Sequence, residues 1–187
     1  MKVRHLFIAL SLSLLPAYAF AHPGHGQGLF AGMAHPWLGL DHMIAMFAVG
    51  MWASQQNGSS RWLLPLSFVG MMMLGAAIGF GGVHLGAVEQ VIAASVCVFG
   101  VVLSSTKRLP VAFCMAITGC FAIFHGYAHA TEAIGSDALF YMLGFVVSTA
   151  LLHAIGFGVA MLLSQHQRVI RWLGAAMAVG GVTMLLG

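Results

Sequence analysis

Apolar residues run along this chain in six long blocks, near 29–53, 62–82, 87–105, 109–130, 138–163 and 169–186, separated by short polar interruptions. At about 1.5 Å of rise per residue, a helix of such length crosses the roughly 30 Å hydrocarbon core of a bilayer. The interruptions, Ser54 to Arg61, Gly81 to Gly86, Thr106 to Arg108, Thr131 to Asp137 and Ser164 to Arg168, are too short to hold a second domain. The pattern predicts an all-α, polytopic membrane protein, a compact bundle of six transmembrane helices over residues 22–187. The block ahead of it has another character. Lys2 and Arg4 precede an apolar stretch from Leu6 to Pro16 that is too short to span, and Ala19-Phe20-Ala21 has the small-x-small form of a cleavage site. Residues 1–21 are therefore expected to be a signal peptide, with the mature chain beginning at His22.

Composition agrees with that class: 60% of the 187 residues are hydrophobic and only 6% are charged, against an apolar share of roughly 45 to 50% in soluble domains. Without Lys2 and Arg4, five basic residues stand against four acidic ones, which leaves no basic patch for nucleic acid. The five carry topological information instead. Arg61, Lys107, Arg108, Arg168 and Arg171 all fall at the first, third and fifth connections. Lys and Arg concentrate in cytoplasmic loops, so both ends of the mature chain are expected outside, in the periplasm of a cell with a bacterial inner membrane. Cys97, Cys114 and Cys120 lie within apolar runs and are odd in number, which argues for small buried hydrophobes rather than a disulfide framework. The Gly28/Gly32, Gly75/Gly79 and Gly82/Gly86 spacings suit close helix packing. The Met71-Met72-Met73 run reads as packing or lipid contact, since three consecutive residues do not share one helical face.

Against this apolar background, two polar motifs need a reason, because an ionisable group in lipid costs several kcal/mol unless it faces a partner, water or an ion. In the fourth block His125, His129 and Glu132 are spaced four and then three residues apart, which puts two imidazoles and a carboxylate on one helical face. In the first block His35 and His42 are seven apart and Asp41 adjoins His42. Pro36 predicts a helix start or kink there and frees a carbonyl near Gly32, in the manner of the broken helices of membrane transport sites. Asp41 either binds an ion directly or orients a histidine. Imidazole with carboxylate points to a divalent transition metal, with His35, Asp41, His42, His125, His129 and Glu132 as the metal-ligating set. His22 and His25 on the Gly-rich mature N-terminus are expected to aid capture, and His153, deep in the fifth block, to extend the path. His84 and Glu89 read as a solvated connection.

The two motifs, HPWLGLDH at 35–42 and FHGYAHATE at 124–132, resemble those of the HupE/UreJ family of nickel and cobalt permeases, whose patterns are HPxxGxDH and FHGxAHGxE. The first matches fully. The second matches except at Ala130, where that family typically has glycine. The resemblance extends to length, signal peptide and span number. It implies uptake of Ni²⁺ or Co²⁺ for metalloenzymes such as hydrogenase or urease, or for cobalamin synthesis, with the metallochaperones of those routes as downstream partners and no prosthetic group. No GxxxxGK[ST] motif occurs, so transport is expected without an ATPase of the chain's own. Two other readings of the residues stay open here: an intramembrane zinc hydrolase using Glu132 as base, and a cytochrome with axial histidines.

Overall fold

The computed structural model describes residues 28–105, 108–133 and 137–187. The expected signal peptide, His22, His25 and Lys107 lie outside the described residues. All regular structure described is helical: α1 (Leu29–Leu38), α2 (Leu40–Ser54), a 3₁₀ turn at Gly58–Trp62, α3 (Leu63–Phe80), α4 (Val88–Ser104), α5 (Val111–Glu132), α6 (Ala138–Leu162) and α7 (Gln167–Leu186). Four segments are long and apolar enough to cross a membrane, Gly58–Phe80, Val111–Glu132, Ala138–Leu162 and Gln167–Leu186, and Val88–Ser104 is apolar but shorter. The chain is a helical, multi-pass membrane protein. Its surface is correspondingly apolar, with Leu66, Leu139, Leu162, Trp172, Val179 and Leu186 each more than 60% exposed.

The first block corrects the expectation of one continuous span. It forms two helices parted at Gly39, whose φ of −86° and ψ of 110° are extended rather than helical. Pro36 lies inside α1 and is buried, so the helix survives the proline and ends two residues later, at Leu38. The Gly39 amide donates to the His35 carbonyl at 3.4 Å and its own carbonyl accepts from Met43 at 2.9 Å, closing α1 and opening α2. Glycine leaves room at the joint for the Asp41–His42 pair: a Cβ there would press on His42 Nδ1 at 3.1 Å and Asp41 Oδ1 at 3.2 Å.

Helix α2 is the central element. Ala45, Met46 and every residue from Ala48 to Ala53 are buried, so it is covered on all sides. Around it the helices associate in pairs through glycines that let backbones touch. Gly32 of α1 abuts the Tyr141 carbonyl of α6, and Gly144 returns the contact on Leu29. Gly50 and Gly156 join α2 to α6, Gly75 and Gly126 join α3 to α5, and Gly100 and Gly174 join α4 to α7. This is the packing solution of bundles in lipid, where no hydrophobic gradient drives helices together and close van der Waals approach does. Of the expected glycine pairs, Gly32, Gly75 and Gly79 sit at such contacts, whereas Gly82 and Gly86 occupy a connection with open space around them.

The two ends of the bundle differ in charge. Arg108 donates to Asn57 Oδ1 at 2.9 Å, tying the connection before α5 to the one after α2. Ser104, Arg168 and Arg171 line one shared surface pocket, so the described basic connections gather at a single end. Helix α5 starts beside Arg108 and ends at Glu132, and 22 residues at 1.5 Å each carry the chain about 33 Å to the other end.

Candidate metal site

At that other end the two polar motifs meet. The α1–α2 segment and the last two turns of α5 face each other. The ring centroids of His42 lie 4.4 Å from His129 and 5.0 Å from His125, and those of His35 lie 4.7 Å from His129 and 6.5 Å from His42. Four imidazoles from two stretches more than 80 residues apart in sequence thus form one cluster. His125 and His129 are fully buried and His42 nearly so; His35 and Glu132 form the accessible rim, their side chains 33% and 49% exposed.

Each imidazole is held by one nitrogen. His42 Nδ1 lies 2.7 Å from Asp41 Oδ1, and the same oxygen accepts the His42 backbone amide at 2.7 Å. His129 Nδ1 lies 3.2 Å from Glu132 Oε2, and His125 Nδ1 donates to the Phe121 carbonyl at 3.0 Å. The other nitrogen, Nε2, is buried and without a hydrogen-bond partner in His42, His125 and His129 alike. A carboxylate or carbonyl on Nδ1 fixes the tautomer that leaves a lone pair on Nε2, as in carboxylate–histidine–metal triads. Buried polar atoms are otherwise almost always paired, so three unpartnered Nε2 atoms in one cluster are an unusual set that could donate electron pairs to one ion.

A second donor group overlaps the first at the rim. Glu132 Oε2 lies 3.1 Å from His35 Nε2 as well as beside His129. Ligand atoms of His35, His129 and Glu132 all fall within 4.8 Å of one another, close enough to hold one ion. All six residues expected from the motifs are therefore brought together, with Asp41 placed against its own neighbour His42, in position to orient it. His153 sits apart, separated from His125 by the Phe68 ring, whose centroid is 5.4 Å from His125 and 5.1 Å from His153. His84 and Glu89 are exposed, as a solvated connection requires.

Sequence reasoning passed over the apolar and hydroxyl side chains that hold this cluster. Phe145 of α6 packs its ring 3.7 Å from that of His129. Ser148 donates to the Met33 carbonyl at 2.7 Å and accepts from Trp37 Nε1 at 2.6 Å, fastening α1 to α6 beside the site. Nothing titratable marks these positions in the sequence. Trp37, an aromatic next to a proline in a polar motif, is the one with a readable signal.

The HupE / UreJ protein family matches residues 10–184. The chain belongs to that family. It is 38% identical over 191 residues to Protein HupE of Rhizobium leguminosarum bv. viciae, covering the whole of both chains, and no solved structure matches it. HupE/UreJ proteins are metal transporters and not enzymes, which sets aside the hydrolase reading. Ala130, the one departure from the family motif, is buried, and its Cβ packs toward Gly79 of α3, away from the ligand face.

Proposed function

We propose that this protein imports Ni²⁺, or Co²⁺, across a bacterial inner membrane, with His35, Asp41, His42, His125, His129 and Glu132 forming the entry site of the path. The observation that carries the reading is the set of three buried, unpartnered Nε2 atoms of His42, His125 and His129, each with its ring fixed through Nδ1. Such a set accepts a late transition metal and has little use for Mg²⁺ or Ca²⁺, which take oxygen ligands.

The cation arrives from the periplasm, concentrated by His22 and His25 of the mature N-terminus. Glu132 and His35 at the rim take it first, since both are accessible and the Glu132 carboxylate carries the negative charge that offsets the loss of hydration. His129 is shared between rim and interior and passes the ion to His42 and His125. Asp41 stays on His42 Nδ1 and supplies counter-charge without leaving its histidine. With the basic end of the bundle in the cytoplasm, six crossings and both mature ends outside, an inside-negative potential draws the ion inward. It contributes about 2.3 kcal/mol per elementary charge per 100 mV, roughly twice that for a dication. Metallochaperones serving hydrogenase, urease or cobalamin synthesis are the natural recipients.

The test is metal uptake into proteoliposomes holding the purified protein and an inside-negative potential, with Ni²⁺, Co²⁺, Zn²⁺ and Mn²⁺ in competition. Saturable Ni²⁺ entry, inhibited by Co²⁺ and indifferent to Mn²⁺, is the expected result. Entry no faster than in empty vesicles contradicts the proposal.

A further inference from the structure

Inward of the entry site lies a second group of donor side chains, centred on a buried histidine that makes no hydrogen bond through its ring. His153 of α6 is 3% exposed, and neither of its ring nitrogens has a hydrogen-bond partner. A neutral imidazole always carries one N–H and one lone pair, so this ring leaves both a donor and an acceptor unsatisfied in the interior of a membrane protein. One turn earlier on the same helical face stands Thr149, fully buried. Helical hydroxyls in this protein ordinarily donate to a carbonyl three residues back, as Ser95, Ser104, Thr131 and Thr183 do. Thr149 does not. Its hydroxyl is turned onto two thioethers, 3.4 Å from Met46 Sδ and 3.9 Å from Met72 Sδ, both side chains fully buried.

The positions continue the entry site inward by single helical turns. On α2, Met46 lies one turn past His42, and Gly50, one turn further, rests on the His153 backbone. On α6, Phe145 packs on His129, Thr149 follows one turn on and His153 one turn beyond that. Phe68 stands between His125 and His153. The chemistry changes along this line. Imidazole and carboxylate give way to imidazole, hydroxyl and thioether, a softer and uncharged set.

We propose that His153, Thr149, Met46 and Met72 form a second, inner site for the transported cation, one that selects late transition metals by its thioether donors. Thioethers bind soft cations and are poor ligands for Mn²⁺ and Mg²⁺. An uncharged set also holds a dication less firmly than the carboxylate-backed entry site does, which suits a station the ion must leave. Met72 thereby acts apart from its neighbours: Met73 faces outward, and Met71 packs against Gly119. The inference rests on the permease reading above, and its test is separable from that reading.

The experiment counts ions. Equilibrium dialysis of the detergent-solubilised full chain against Ni²⁺ alone gives stoichiometry, and X-ray absorption at the nickel edge reports sulfur among the ligands. The wild-type chain is expected to bind two ions, one with sulfur in its shell. His153→Leu should bind one, without sulfur. Met46→Leu combined with Met72→Leu, which keeps core volume nearly unchanged, should lose the sulfur signal and weaken the second ion at least tenfold. The combination of His42→Ala with His129→Ala should lose the other ion and keep the sulfur. Fewer than two ions in the wild type, or nitrogen and oxygen ligands alone in all variants, overturns the inner site. A retained ion that His42→Ala and His129→Ala remove leaves the entry site, and with it the permease reading, standing. Loss of both ions in a His153→Leu chain that elutes and melts as wild type overturns the separation into two sites.

Discussion

At the scale of single residues, the proposed ion site rests on the division of labour between the two nitrogens of His42, His125 and His129. Asp41 and Glu132 hold Nδ1 atoms of His42 and His129, so their loss should act on affinity through ring orientation. Groups that orient metal-binding histidines typically contribute 10- to 100-fold in affinity or activity. Asp41→Asn and Glu132→Gln should therefore raise the half-saturating Ni²⁺ concentration for uptake by at least about tenfold, with membrane levels by immunoblot unchanged. Glu132→Gln should have the larger effect, because its carboxylate also faces His35 and stands at the accessible rim. Metal binding to an imidazole requires its neutral form, so initial Ni²⁺ uptake should decline as external pH is lowered from neutrality and recover when neutral pH is restored. Uptake that rises on acidification would contradict binding by neutral histidines.

At the scale of elements, the bundle depends on glycines where two helices touch backbone to backbone. Gly126 of α5 rests on the Met72 carbonyl of α3, and Gly50 of α2 on that of His153, so an added side chain at either position collides with main chain. Gly70, also on α3, has no atom within 4 Å of an added Cβ. Gly126→Val and Gly50→Val should abolish recovery of a monodisperse protein in mild detergent, whereas Gly70→Ala should be recovered at wild-type yield with a melting temperature within a few degrees. Size-exclusion chromatography with a thermal ramp checks both. The helical blocks themselves were legible because lipid imposes one rule on long apolar runs. The break at Gly39 was not, because Pro36 is the stronger local helix-breaking signal, and the crowding at Gly39 arises only when the Asp41–His42 pair folds back against it. Chance glycine spacings were equally poor guides. Gly82 and Gly86 share the spacing of Gly75 and Gly79 yet lie in open space, since spacing alone does not say which face a neighbour will cover.

At the scale of the whole molecule, the motifs were legible one helix at a time through the i, i+4 and i, i+3 rules, and the cluster they build was not, because only tertiary packing brings His42 to 4.4 Å from His129. The inner thioethers were invisible for the opposite reason, since a buried methionine looks like any other core residue until a hydroxyl turns toward it. The charge asymmetry gives a direct test of orientation. With Cys97, Cys114 and Cys120 replaced, a single cysteine at Val83 should react with an impermeant maleimide on intact cells, and one at Ser59, near the basic end, should react only after permeabilisation. Both Val83 and Ser59 are exposed. The central claim is that two helix segments share one ion, and nickel accumulation in cells lacking other nickel importers tests it most directly. His42→Ala and His129→Ala should each reduce accumulation nearly to background with normal amounts of protein in the membrane, and the double variant should be scarcely worse than either, because a site broken on one side has little left to lose. Wild-type accumulation in either single variant would contradict the shared site.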